Sequence, residues 1–511
     1  MHFLKIIRVT IALVVITMIS VYFIDFTGRI PQSWSVLPRF QWIPALLSVT
    51  PVLSFLFVLS LLFGRFFCSA ICPLGIFQDL MIRISRKFPH RKKVKYEYAK
   101  PHNLIRYGVL GITLFSFFAG STGLLLLLDP YSNFGRLMAS LSRPLAIIAN
   151  NLVVKLCVLF GFYPQSLYPA EITGLTILSV GSGILILVVI ALFTWHHGRL
   201  YCNTVCPVGT FLGLLARVSL FRIKLDKVQC TGCGICGTIC KSKCIDSKNQ
   251  EVDVSRCVSC FNCLKVCRKG AIKYKFIIPS SLKRTSPAYL CHSRRKAIFF
   301  TGSLVGSFLT RRSIASTLQK DADPAASRQV VLPPGAEFLD KFNKQCTACQ
   351  LCITKCPSHV LQPATLQYGI EGILQPHMVY KDGYCNYNCT ICADVCPTNA
   401  LSPLTLKEKQ LTQIGVAQFR PDLCIVPTRH TDCGACAEHC PTQAVKMIPY
   451  KDGLTIPSLD PSICIGCGGC EFICPVRPYQ AIYIEGNEFH HRALAPQTGE
   501  KSKQKVDDFG F

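Results

Sequence analysis

Cysteine is the residue type on which the chemistry of this 511-residue chain turns. Of 31 cysteines, 24 fall into six runs of four. The first two runs are Cys230, Cys233, Cys236 and Cys240, then Cys257, Cys260, Cys263 and Cys267. Four more follow: Cys346, Cys349, Cys352 and Cys356; Cys385, Cys389, Cys392 and Cys396; Cys424, Cys433, Cys436 and Cys440; Cys464, Cys467, Cys470 and Cys474. C-x2-C-x2-C-x3-C is the ligand spacing of paired four-iron four-sulfur clusters. Three cysteines on a tight loop bind three irons of one cube, and the fourth starts a short helix pointing towards the neighbouring cube. Glycines such as Gly232 and Gly234 let the backbone wrap close to the inorganic sulfides. A zinc site needs two pairs separated by a longer loop, and disulfide frameworks are irregularly spaced; neither fits. Runs four and five depart from the pattern, by one residue at Cys385–Cys389 and by an insertion at Cys424–Cys433. The last four runs all end in Cys-Pro, and six clusters are expected. Crossed ligation puts Cys230, Cys233 and Cys236 with Cys267, and Cys257, Cys260 and Cys263 with Cys240.

A second cysteine pattern occurs twice: GRFFCSAICPLGIF at 64–77 and GRLYCNTVCPVGTF at 198–211. Seven positions agree in register, and each copy follows a long apolar run. Two such copies at the same ends of two spans suggest pseudo-symmetry. Cys68, Cys72, Cys202 and Cys206 are therefore expected to converge on one extra site at the cytoplasmic membrane face, suited to a soft metal or a redox dithiol pair. Three cysteines remain. Cys157 lies in an apolar segment and is expected to be buried and inert. Cys244 is close enough to Cys240 to substitute for it but is read as a non-ligand, and Cys291 has no assigned role. His196 and His197, beside the second copy, are read as interfacial histidines capping a span, with a proton acceptor for quinol oxidation as the alternative. No Cys-x-x-Cys-His motif points to haem, and no nucleophile elbow, phosphate loop or paired-carboxylate signature points to hydrolysis.

These ligands must be positioned by a membrane module followed by soluble ones, because the hydrophobic half of the chain is concentrated in the first 194 residues. Residues 9–24, 43–63, 107–128 and 172–194 are uncharged or nearly so and close to the ~20 residues that cross a hydrocarbon core. The start reads as a span rather than a cleaved signal, since no small-residue cleavage site follows it. Residues 144–163 are apolar but contain Asn150, Asn151 and Lys155 and are read as interfacial or re-entrant. Parity supports this. The loop 65–106 and the stretch after 194 are both basic, so both are cytoplasmic only if two spans separate them. The formal charge of +27 would ordinarily suggest nucleic acid. Six clusters carrying roughly −2 each would cancel roughly 12 of those charges, and cytoplasmic loops account for the rest, so no nucleic-acid partner is expected.

Between the second and third runs lies a Ser-, Pro-, Ala- and Arg-rich linker. Within it Ser293-Arg294-Arg295-Lys296 precedes an uncharged stretch to residue 309, which looks like a twin-arginine export signal. The expected fold is multi-domain. An α-helical bundle of four spans (1–212) precedes an α+β two-cluster ferredoxin-like domain (213–276), the linker (277–335), a four-cluster ferredoxin-like domain (336–490) and a polar tail (491–511). Short strands and turns are expected at 400–406, 443–447 and 481–484.

Residues 1–275, with four spans, two Gly-Arg-x2-Cys-x3-Cys-Pro motifs and a two-cluster ferredoxin, resemble the NapH (MauN-like) family. Residues 294–511, with a twin-arginine-like start and four cysteine runs, resemble the NapG/MauM family; together they look like a fusion of the two. The membrane motif is also similar to that of NosR and CcoG proteins. The resemblance implies a multi-pass protein of the bacterial cytoplasmic membrane, passing electrons from the quinol pool to a periplasmic or membrane reductase, with 336–511 outside. It also implies that in the second cluster domain run one of its four pairs with run four, and run two with run three; neighbour pairing is the alternative. The competing functions are copper reduction or assembly of the CcoG kind, and a redox-sensing scaffold.

Overall fold

The computed structural model describes residues 2–87, 96–162, 167–277 and 329–495. The twin-arginine-like stretch, Cys291 and the residues from 496 onwards lie outside the described residues. Among the described residues three helices are long and apolar enough to cross a membrane: Phe3–Ile24, Pro130–Leu159 and Ile177–His197.

Two of the expected spans are broken. Residues 43–63 form Trp42–Ser48 and Pro51–Phe63. Val49 between them is left-handed at φ 46°, and Thr50 is extended, as a residue before proline prefers. Residues 107–128 form Asn103–Phe118 and Gly123–Leu128, interrupted around Gly120 at φ 85°. After this break Asp129 caps Pro130–Leu137, its carboxylate accepting from the backbone N–H groups of Tyr131 and Ser132. A π-helical turn, Met138–Ser142, joins that helix to Arg143–Leu159. The segment expected to be interfacial or re-entrant is thus the second half of one long helix, and Cys157 on it is half-exposed rather than buried.

The first ferredoxin-like module pairs Phe221–Leu225 antiparallel with Ile272–Phe276 and encloses two short helices, Ile235–Ile239 and Asn262–Val266. The second module contains two such units. One holds the pair Leu361–Pro363 and Pro376–Met378. The other pairs Thr412–Phe419 with Ile482–Arg492, and Val445–Pro449 with Thr455–Leu459. This module is wider than 336–490. The Gln329 and Val331 carbonyls accept from the N–H groups of Gly486 and Met378, and the last strand runs to Arg492 with Ala493 buried behind it. Residues 400–406 form no strand. They lead into the helix Leu406–Gln410, opened by a reciprocal cap between Thr405 and Glu408.

The modules sit at opposite ends of the N-terminal helix His2–Ile24. At its start Leu4 packs into the first module's core, and Arg8 lies 3.2 Å from Asp79. At its end Asp25 pairs with Lys355 of the second module at 2.7 Å, where Arg39 also donates to the Asp394 carbonyl. At 1.5 Å per residue, Arg8 and Asp25 stand about 25 Å apart. One apolar core runs between, joining Cys68, Cys72, Cys202 and Cys206 to Cys349, Leu351 and Val395 of the second module.

Candidate iron–sulfur centres

The four runs with full spacing share one backbone device. The residues just before and just after the second cysteine are left-handed: Gly232 and Gly234, Ser259 and Phe261, Ala348 and Gln350, Gly466 and Gly468. For a non-glycine residue this conformation costs roughly 1–2 kcal/mol. Its recurrence at the same two positions means the loop shape is imposed by what the loop holds. Such turns aim successive N–H groups inward and form a nest for an anionic group, which suits a thiolate-bound cluster. Five of the six runs also have a left-handed residue three positions past the last cysteine: Lys243, Gly270, His359, Asn399 and Gln443.

The cysteines gather in crossed sets. Cys230, Cys233 and Cys236 line one cavity with Cys267. Cys240 lies within electrostatic reach of Cys257, Cys260 and Cys263. In the second module Cys346, Cys349 and Cys352 line a cavity with Cys396, and Cys356 faces Cys385, Cys389 and Cys392. Cys424, Cys433 and Cys436 line a cavity with Cys474, and Cys440 faces Cys464, Cys467 and Cys470. Run one therefore lies against run two, and run three against run four. The one-with-four arrangement is corrected to neighbour pairing: the pair Leu361–Pro363 with Pro376–Met378 folds back the segment between runs one and two, and Thr412–Phe419 with Ile482–Arg492 closes around runs three and four. Among the described residues no three ligand side chains close on a point that would hold a single ion. A four-iron cube stands its four thiolates further apart than one ion does, so the donor sets fit the cube.

Hydroxyls accompany the second module's sulfurs. Ser358, Thr398 and Thr442, each two residues past a Cys-Pro cysteine, place their Oγ 3.7 Å from the sulfur of Cys356, Cys396 and Cys440. In the first module Cys244 takes that part. It is fully buried, and its Sγ stands 3.4 Å from that of Cys240.

The repeated motif folds as an intertwined pair. Gly64 and Gly198 adopt φ 64°, ψ −132° and φ 70°, ψ −121°, a conformation for which glycine is needed. Pro73 and Pro207 begin the following helices, capped by Cys72 and Cys206. Each arginine reaches into the other copy: Arg65 donates to the Cys202 carbonyl at 2.8 Å, and Arg199 to the Cys68 carbonyl at 2.9 Å. A Cβ on Gly75 or Gly209 would stand 2.3 or 2.2 Å from those same two carbonyls. The paired copies bring Cys68, Cys72, Cys202 and Cys206 within electrostatic reach of one another, all buried. They lie inside the bundle rather than at an exposed face, in one buried core with Trp42, Phe134 and Tyr201.

The charge around this site is unbalanced. Asp79 bridges Arg199 at 2.8 Å, Lys241 at 3.3 Å and Arg8. In the second copy Asp79's register partner is Gly213, against which the Arg106 guanidinium packs. Among the described residues Arg65, wholly buried, hydrogen-bonds only neutral groups: the Asn203 amide oxygen and the Ser255 and Cys202 carbonyls. A buried cation without an anion is costly, and four thiolates beside it are the natural counter-charge. Gln78, fully buried, accepts from the Cys202 thiol at 3.4 Å while its amide nitrogen has no partner. Arg65 belongs to the repeated motif, whereas Asp79 and Gln78 are site residues that the motif does not single out. The signal for Asp79 was an acid inside an apolar helix within an otherwise basic loop.

The sets form a series. Arg199 is within electrostatic reach of both Cys260 and Cys202. Tyr201, beside Cys202 and Cys206, accepts from Asn133 at 3.4 Å, and Tyr131 on the same helix faces Cys349 and Cys396. Cys352 neighbours Cys392, Cys385 donates its backbone N–H to the Cys467 carbonyl at 2.9 Å, and Cys470 neighbours Cys436. His196 and His197 are exposed at the end of their helix.

Family models match the same segments. One described as a 4Fe-4S binding domain matches residues 45–92 and 179–227, the two copies of the repeat. Two described as 4Fe-4S dicluster domains match 253–360 and 430–477. The 253–360 match joins cysteine runs that the structure holds at opposite ends of the N-terminal helix, so it reports ligand spacing rather than one folded unit. Over 195 residues the chain is 30% identical to the methylamine utilization ferredoxin-type protein MauM of Methylobacillus flagellatus, covering 75% of that protein and 36% of this one. Over 224 residues it is 26% identical to the ferredoxin-type protein NapH of Haemophilus influenzae, covering 63% of that protein and 42% of this one. It is also 24% identical over 229 residues to the uncharacterized protein MJ0749 of Methanocaldococcus jannaschii, 70% of that protein and 44% of this one. No solved structure matches the chain. The relatives and the cysteine architecture together place the chain in the NapH/MauM-like family of ferredoxin-type proteins.

Proposed function

We propose that the protein is a membrane-bound electron conduit that takes electrons from the quinol pool and delivers them to a reductase through six four-iron clusters. The clusters supply one-electron carriers in series. The protein's residues hold them close: crossed cysteine sets within each module, and Tyr131, Asn133 and Tyr201 packed between the modules. The observation that carries the reading is the buried site of Cys68, Cys72, Cys202 and Cys206, standing between two cluster modules about 25 Å apart along the N-terminal helix. Four thiols beside Arg65, which has no carboxylate partner among the described residues, suit a further thiolate-bound redox centre that bridges the gap. On this reading the second module lies across the membrane from the first.

The test is iron analysis and EPR redox titration of the purified protein, with and without Cys68→Ala and Cys202→Ala. Twenty-four or more irons per chain are expected, with reduction by a quinol analogue. In the double variant both modules keep their clusters, but electrons fed to one no longer reach the other. Eight or fewer irons would sink the reading. The same four thiols support a second reading, CcoG-like copper handling; copper retained by the native protein and lost in the double variant would favour it.

A further inference from the structure

The four-thiol site stands between the two modules, so the centre held by Cys230, Cys233, Cys236 and Cys267 is at the outer end of the series, where a soluble partner can meet it. The surface around that end describes the partner. Residues 213–277 contain thirteen lysines and arginines against four acids, a balance of +9. The cavity of Cys230, Cys233, Cys236 and Cys267 is lined by Arg268 and Lys269 and by no acidic residue. Cys233 itself is exposed, as are Lys248 and Lys265 on the same module. Beside it two apolar side chains face outward, Val228 at 94% exposure and Ile235 at 45%. Lys227 in the neighbouring loop is paired with Glu251 at 3.3 Å, but the cavity's own rim is basic. An apolar contact beside a redox centre, within a net positive surface, is the form of a transient electron-transfer interface, in which complementary charge steers the encounter. The basic residues that suit lipid headgroups are different ones. Arg217 donates to the Tyr107 hydroxyl and Arg222 to the Arg217 carbonyl, at the junction with the helix bundle.

We propose that the first module docks a small acidic one-electron carrier protein, of flavin or iron–sulfur type, on the loop 227–235 and the Arg268–Lys269 edge. One electron leaves the reduced carrier and enters the centre held by Cys230, Cys233, Cys236 and Cys267; the carrier is oxidised by one electron, and no proton or leaving group moves. This rests on the conduit reading for what happens afterwards but not on quinol as the electron source.

The experiment uses the full chain in nanodiscs of zwitterionic lipid, with an acidic ferredoxin and a flavodoxin as probes and a basic cytochrome as control. Binding is followed by calorimetry and cluster reduction by EPR. The acidic probes are expected to bind, weakening about tenfold between about 50 and about 300 mM salt, while the cytochrome does not. Arg268→Glu with Lys269→Glu should weaken binding at least about tenfold. Arg268→Gln with Lys269→Gln should have an intermediate effect, with cluster absorbance confirming folding. Lys381→Glu with Lys407→Glu, both exposed on the second module, should change nothing. Salt-independent binding, or equal binding of the cytochrome, overturns the proposal. So does binding that appears only with anionic vesicles, which would make the patch a lipid surface. The source of electrons separates the two readings: if a quinol analogue reduces the clusters of both modules while the acidic carriers neither bind nor reduce, docking fails and the conduit stands. If the carriers bind and reduce the centre of Cys230, Cys233, Cys236 and Cys267 while the second module stays oxidised, docking stands and the conduit itself fails.

Discussion

The two cluster modules hold their cysteines on the same backbone and present opposite exteriors. The left-handed positions flanking the second cysteine recur in both. Yet residues 213–277 carry a balance of +9, whereas residues 329–495 have twelve lysines and arginines against fourteen acids, a balance of −2. Ligand geometry depends on the local loop and is indifferent to surface charge, so the charge difference records something else. The positive-inside rule supplies a reason: basic segments next to spans stay in the cytoplasm, and domains that cross need not be basic. The modules' attachment to opposite ends of the N-terminal helix agrees in direction.

The largest effect that would break this comparison is topological. With alkaline phosphatase fused after Phe511, activity is expected from the outer side, while a cytoplasmic reporter at the same position stays silent. The reverse result would put both modules on one face and leave the charge contrast without a topological cause.

How much of this was legible in the sequence divides along the same line. The crossed sets of the first module were readable because ligand spacing is local: Cys230, Cys233, Cys236 and Cys267 do line one cavity. The register of the repeat was readable too, since Gly64, Arg65, Pro73 and Gly75 each have a structural duty that their counterparts duplicate. Pairing in the second module was not, because which run meets which is decided by strand pairs such as Thr412–Phe419 with Ile482–Arg492, far apart in sequence. The broken spans had signals at Pro51 and Gly120, outweighed there by continuous hydrophobicity. Asp79 escaped because its register partner is Gly213, so comparison of the two copies passes over it.

Asp79 gives the next largest effect. It is the shared anion of three buried cations on the first-module side, while the corresponding place in the second copy has none. Asp79→Asn leaves Arg199 and Lys241 facing each other without a counter-charge, and losing one partner of a buried pair costs about 3–5 kcal/mol. Thermal unfolding of the cluster-loaded protein should fall accordingly. The two arginines are not equivalent: Arg65 already lacks an anion, so Asn203→Ala should cost about 1–3 kcal/mol, the range for leaving a buried donor unsatisfied. Equal losses in the two variants would contradict the asymmetry.

A smaller effect tests the symmetry that remains. Gly75→Ala and Gly209→Ala each force a methyl group to within about 2.3 Å of a carbonyl already holding an arginine. Overpacking of this kind costs about 1–3 kcal/mol, and the two costs should be alike. Gly111→Ala, with nothing within 4 Å, should cost nothing.

The smallest effect concerns how each module tunes its sulfurs. Hydroxyls of Ser358, Thr398 and Thr442 lie 3.7 Å from sulfurs of the second module, and the Cys244 thiol lies 3.4 Å from Cys240 in the first. Hydrogen bonding from Cys244 holds the Cys240 thiol below its usual range, which is to say that it favours the charged sulfur. A donor to a ligand sulfur also favours the more negative, reduced state of a cluster and so raises its potential. If that bond contributes about 1 kcal/mol, its loss lowers a one-electron potential by roughly 40 mV. Cys244→Ala should therefore lower one EPR midpoint by about that much and leave the others in place, and Cys244→Ser, which keeps a donor, should restore most of it. Thr398→Val should do the same to a centre of the second module. A centre lost altogether in Cys244→Ala but kept in Cys240→Ala would instead make Cys244 the ligand, and the thiol in the first module would then differ in kind from the hydroxyls in the second.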